Sequence, residues 1–238
     1  MYTPDIYQLE NPDTIRAFLK ENAFGILINQ TNGKLWATHI PMELDYNSEG
    51  KEILHGHLSK ENPQGIAFED NTEVLAVFTG PHAYISSSWY DHENVPTWNY
   101  TAVHVYGKVK IIHGEAVIDS LTKLVDKYEQ ASACPVKVSE LSKATMRQAK
   151  GVIGFEIEIT QIEATQKMSQ NRDDHNYKNI IQELEKTQSS SAIKSSTSKS
   201  LVSGEIIVRR GSPKRFFTSS ISSLIILRTF CSSAKTLS

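Results

Sequence analysis

VLAVFTGPHAYISSSWYDHENVPTWNYTAVHVYGKVKII, residues Val74 to Ile112, is apolar and β-branched at both ends. Its middle gathers Tyr84, Trp89, Tyr90, Trp98, Asn99 and Tyr100 among Gly, Pro and Ser turn residues. Such a pattern predicts two strands with an aromatic-rich connection. From Tyr100 to Ile112 the alternation is clean: Val103, Val105, Val109 and Ile111 share one face with Gly107, and His104, Tyr106, Lys108 and Lys110 share the other. Gly107 marks a bulge or a close backbone approach. Val74 to Thr79 alternates poorly and reads as a strand buried on both sides. Aromatic residues at strand ends are ordinarily core or rim packing. Flat rings beside an amide also suit a planar polar ligand, so both readings stand.

Upstream, Asn11-Pro12-Asp13 combines an N-cap, a first-position proline and an acidic first turn, predicting a helix over Pro12 to Glu21. Phe24 to Asn29 and Leu35 to Ile40 are strand-like around the turn Thr31-Asn32-Gly33. Pro41 to Asp45 and Lys51 to Leu58 repeat the arrangement around Asn47-Ser48-Glu49-Gly50, which predicts a meander of antiparallel strands. Asn62 and Pro63 then stand as N-cap and first residue of a helical turn within Ser59 to Phe68. The junction His57-Leu58-Ser59-Lys60-Glu61-Asn62 thus brings an imidazole, a hydroxyl, an ammonium and helix N–H groups together, a composition that suits a phosphate as well as a solvated capping turn.

Downstream, periodicity predicts helices over Ile118 to Glu129 and Val138 to Lys150. Phe155, Ile157 and Ile159 form one more half-buried strand, and Asp174 to Lys186 a closing helix. Hairpins rather than strand-helix-strand units point to a mainly β, α+β fold: an antiparallel barrel with peripheral helices.

At 238 residues and 39% hydrophobic content the chain can bury one sizeable core. A net charge of −2 and a pI near 6.5 argue against a uniformly nucleic-acid-coating protein and leave room for a local basic patch. Cys134 and Cys231 suggest neither a disulfide framework nor a zinc site. The N-terminus lacks a basic and apolar leader, so a cytoplasmic location is expected and no membrane association. From Gln188 onward the composition changes, with sixteen Ser, eight Lys or Arg and one acid, Glu205, in 51 residues. This tail carries +7 formally, so of the chain's −2 residues 1 to 187 hold −9. Two domains of unlike character follow: a packed unit over 1–187 and a Ser-rich basic segment over 188–238, expected to be disordered. A shifted reading frame and a basic arm for nucleic acid or anionic lipid both account for that tail.

His82, His92 and His104 lack metal-ligand spacing, and His55 and His57 on one side of a strand read as ordinary polar residues, so no metal site is expected. Ser86-Ser87-Ser88 has no nucleophile elbow around it, and neither a dinucleotide fingerprint nor a phosphate-binding NTPase loop occurs.

Seven segments, taken in order, carry a family resemblance: MYTPDIY (Met1 to Tyr7), ATHIPMELD (Ala37 to Asp45), GHLSKENPQ (Gly56 to Gln64), GPHAYISSSWY (Gly80 to Tyr90), VPTWNYTAVHVYGKV (Val95 to Val109), GFEIEIT (Gly154 to Thr160) and KMSQNRDD (Lys167 to Asp174). In these the chain resembles the PaiB-type FMN-binding negative transcriptional regulators. That resemblance implies a Greek-key, flavin-binding split barrel over residues 1 to 187, FMN as cofactor, and a homodimer with flavin at the interface. By the same resemblance His57, Ser59, Lys60 and Asn62 are candidates for the FMN phosphate, and His39, Ile40 and Pro41 for lining the ring. Trp98, Asn99 and Tyr100 would close the slot, from the same subunit or its partner. Gln170, Asn171 and Arg172 form a further cluster, where Arg172 can clamp an anion or pair with Asp173 or Asp174 on the surface. The family's function implies repression of sporulation and degradative-enzyme genes. No recognition helix is visible and residues 1 to 187 are acidic, so direct DNA binding stays open and repression can be indirect. The alternative function is a flavin-dependent oxidoreductase of the split-barrel type.

Overall fold

The computed structural model describes residues 1–186, and the serine-rich tail lies outside them. Helix α1 spans Pro12–Glu21, the sequence expectation to the residue, with the Asn11 side chain accepting the Thr14 N–H. It buries Ile15 and Leu19 against the barrel. Strands β1 (Phe24–Thr31) and β2 (Lys34–Pro41) pair around Asn32 and Gly33, both at positive φ, as a tight hairpin of this twist requires. Strands β3 (Glu43–Tyr46) and β4 (Glu52–Ser59) form the second hairpin. The four-residue helix α2 (Pro63–Ile66) follows, then the long strands β5 (Glu73–Ile85) and β6 (Thr97–Ile112). Helix α3 (Glu115–Glu129), the short α4 (Lys143–Met146), strand β7 (Val152–Lys167) and helix α5 (Asp174–Lys186) complete the chain.

All seven strands join one antiparallel sheet in the order β2-β1-β5-β6-β7-β4-β3. The expected meander is corrected here. β2 and β3 are consecutive in sequence yet lie at opposite edges, because β3 and β4 cross over to pair with β7. Hairpin turns set the local pairs, while the long-range order depends on which apolar faces meet in the core. Gly56 lets the barrel close: a Cβ there would meet the Pro41 carbonyl at 3.2 Å and the Phe155 ring at 3.1 Å. The core within holds Leu27, Met42, Leu54, Phe78, Val103 and Phe155, all essentially solvent-free.

Two further expectations change. β5 is not buried on both sides: Val74, Ala76 and Phe78 face the core, while Leu75 and Val77 are half-buried. Apolar residues on the outer face broke the visible alternation. The single helix expected over Val138 to Lys150 is three short turns, Val138–Glu140, Lys143–Met146 and Arg147–Gly151, because Leu141 is extended and Ser142 recaps the chain on Thr145. A second, smaller core forms where α5 lays Ile180 and Leu184 on Ala83, Ile85 and Tyr90, with Trp89 against them. Trp89 and Tyr90 are thus packing residues, as the plainer reading of the aromatic run holds. Among the described residues no helix is long and apolar enough to cross a membrane.

Candidate functional site

The junction after β4 is built from its own side chains. Ser59 Oγ accepts the Glu61 N–H at 3.2 Å, and Asn62 Oδ1 accepts the Gln64 N–H at 2.9 Å. Asn62 Nδ2 donates to Thr38 Oγ1 on β2 at 3.0 Å. That bond ties the junction to the strand carrying His39, Ile40 and Pro41, so the structure brings these two predicted groups together. Below the turn Gln64 is fully buried, its Nε2 donating to the Leu27 carbonyl and to Asn29 Oδ1. Thr38 and Gln64 are missed by residue-type reasoning, although both sit inside the segments that carry the family resemblance.

The donors free for an anion are the exposed Lys60 ammonium and the exposed Ser59 hydroxyl. Among the described residues Lys60 forms no ion pair. Burial pushes the His57 imidazole below its ordinary 6.5. Ile40 and Pro41, half-buried, offer apolar surface, and His39 is exposed beside them. Cation, hydroxyl and a partly apolar strand are the donor set that a flavin phosphate and ring edge require.

Trp98, Asn99 and Tyr100 lie elsewhere. All three are on β6, where Trp98 is 54% exposed and stands edge-on to Tyr84 at 5.8 Å, with the His82 ring 6.1 Å away. Asn99 is buried and accepts a hydrogen bond from Ser169 Oγ, while Tyr100 is half-buried. β7 meets the two groups at its opposite ends. Its first residue, Val152, pairs with Ser59, and its last, Lys167, pairs with Tyr100. Among the described residues no hydrogen bond, ion pair or ring contact joins the aromatic group to the junction.

Gln170 is taken up structurally. Its Oε1 accepts the Met168 N–H, and its Nε2 donates to the Gln166 and Ile6 carbonyls, clamping the turn in which Ser169 has φ 59. Arg172 stacks its guanidinium 5.1 Å from the Tyr90 ring centroid. Asp173, the surface partner considered for it, instead caps α5 through Asn176. Asn171 is exposed.

The seven-stranded antiparallel barrel with peripheral helices is the fold of the flavin-binding split barrels. The chain belongs to the family described as "Putative FMN-binding domain", whose model matches residues 1–161, and FMN is the cofactor this assigns to the barrel. It is 41% identical over 193 residues, covering 81% of this chain and 93% of the other, to "Protease synthase and sporulation protein PAI 2" of Bacillus subtilis. The PaiB-type resemblance is thereby borne out. Two solved structures share the fold with TM-score 0.53: the FAD and heme binding protein from Mycobacterium smegmatis, at 15% identity over 68% of this chain and 73% of that one, and the flavocytochrome Anf3 from Azotobacter vinelandii, at 16% over 73% and 75%.

Proposed function

We propose that this PaiB-like protein is a homodimeric, FMN-dependent regulator whose flavin site is completed across two copies. The placement of the Ser59–Asn62 junction and of Tyr100 against opposite ends of β7 supports this reading, because both groups suit a flavin. Lys60 and the Ser59 hydroxyl hold the phosphate, with Asn62 fixing the turn. Ile40 and Pro41 support the ring, and Trp98 and Tyr100 from the partner cover it. The exposed β2 edge, where Leu35 is 81% exposed beside Trp36, supplies apolar surface for a symmetric partner. FMN, when bound, supplies a redox-active ring, and the protein sets its hydrogen-bonding and solvent exposure. The −9 on residues 1 to 187 favours regulation through a protein or small-molecule partner, and the +7 tail keeps direct contact with DNA phosphates open. Light scattering combined with visible absorption tests the reading: a dimeric mass with one FMN per chain is expected. A flavin-loaded monomer would overturn it.

A further inference from the structure

Between α3, α4 and the adjoining ends of β6 and β7 lies a cleft of about 400 Å³, within the range of small-molecule sites. Its apolar walls include Ile111, Val117, Ile118, Met146, Val152 and Ile153. The exposed residues lining it are Lys60, His113, Lys150 and Gly114, and among the described residues no carboxylate lines it. Among the described residues Lys150, like Lys60, forms no ion pair. In a unit carrying −9, the described residues lining this cleft include two ammonium groups and no acid, while Asp70 accepts the Ile111 N–H at 3.0 Å. A cleft lined by one sign of charge with low-dielectric walls concentrates counter-ions. Apolar walls beneath such a rim leave room for more than an inorganic ion.

We propose that this cleft is a second ligand site, for a small amphipathic anion. A carboxylate or phosphate head lies at Lys150, and an apolar body lies against Ile118, Met146 and Ile153. The site does not depend on the flavin reading. Lys60 stands between this cleft and the flavin junction, so the discriminating variants are Lys150→Glu, an exposed charge reversal, and Ala149→Trp, which fills the cleft.

Calorimetric titration of the full-length, flavin-loaded protein with octanoate, octyl phosphate, octylammonium and octanol tests the proposal. Saturable one-to-one binding of octanoate or octyl phosphate is expected, about tenfold or more tighter than octylammonium or octanol, as a charge-assisted contact provides. Whichever anion binds more tightly identifies the head group. Both variants should abolish this binding while the visible flavin spectrum, which reads the other site, is retained. Should Ala149→Trp fail to fold, Lys150→Glu decides alone. Absence of saturable binding by either anion overturns the proposal, as does equal affinity for octanol or octylammonium. Anion binding that survives Lys150→Glu, or disappears only together with the flavin, overturns it equally.

Discussion

Lys60 and Asn62, two residues apart, play different parts, and only one of those parts is visible in composition. Asn62 spends its amide on the Gln64 N–H and on Thr38, so its contribution is the geometry of the turn. Lys60 keeps its charge free and exposed. If it holds the phosphate, Lys60→Ala removes a charge-assisted contact of about 1.5–3 kcal/mol from FMN and leaves riboflavin nearly untouched. Fluorescence titration should therefore show FMN weakened by roughly one to two orders of magnitude and riboflavin by much less. Equal losses for the two ligands would remove the phosphate assignment. Gln170 marks where reading residues by type stops: its donors and acceptor suit a ligand, yet three backbone groups occupy them, and nothing in the string SQNR announces that.

At the scale of elements, what was legible was whatever is encoded locally. Asn11-Pro12 begins α1, Asn32-Gly33 turns β1 into β2, and Asp174 begins α5, each by chemistry within four residues. The crossover that sends β3 and β4 to β7 involves partners about a hundred residues apart, which no turn motif specifies. Gly107 lies between these cases. The expectation of a bulge or close approach holds, since the β6–β7 register slips there and a Cβ on Gly107 would meet the Glu158 carbonyl and Ile157 at 2.5 Å. Gly107→Ala should cost about 1–3 kcal/mol through forced displacement of β7. Urea unfolding would show a lower midpoint, and an unchanged midpoint would mean the strands yield without cost.

Another element-scale test concerns the seam between β4 and α3. His55 is buried there, its Nδ1 2.8 Å from Ser120 Oγ. Burial lowers its pKa, against the pull of Asp45, and likewise lowers His57 and His104. A histidine with a folded pKa below its unfolded value of 6.5 contributes stability that is present above 6.5 and lost as pH falls through the folded value. Asp45, held low by Lys123 and the Tyr46 N–H in spite of its burial, belongs to a more acidic range, below its ordinary 3.8. Tyr177, pushed up to about 12 by burial, acts only above its ordinary 10.0. Thermal melts should thus show a plateau between about pH 7 and 9 and a first decline below about 6.5. A melting temperature flat from pH 8 to pH 5 would contradict these histidine assignments.

In the proposed dimer, two copies together make each flavin site. The barrel places its anion donors at one end of β7 and its exposed aromatic hairpin at the other, an arrangement that a symmetric dimer can turn into two equivalent sites. Subunit complementation measures this directly. Lys60→Ala and Trp98→Ala each damage both sites of their own homodimer, whereas a mixed dimer holds one site with Lys60 and Trp98 both intact. After unfolding and co-refolding equal amounts, random pairing should restore tight FMN binding at roughly a quarter of all sites. If tight sites fail to reappear although mass analysis shows mixed dimers, each site is built within a single chain and the account is contradicted.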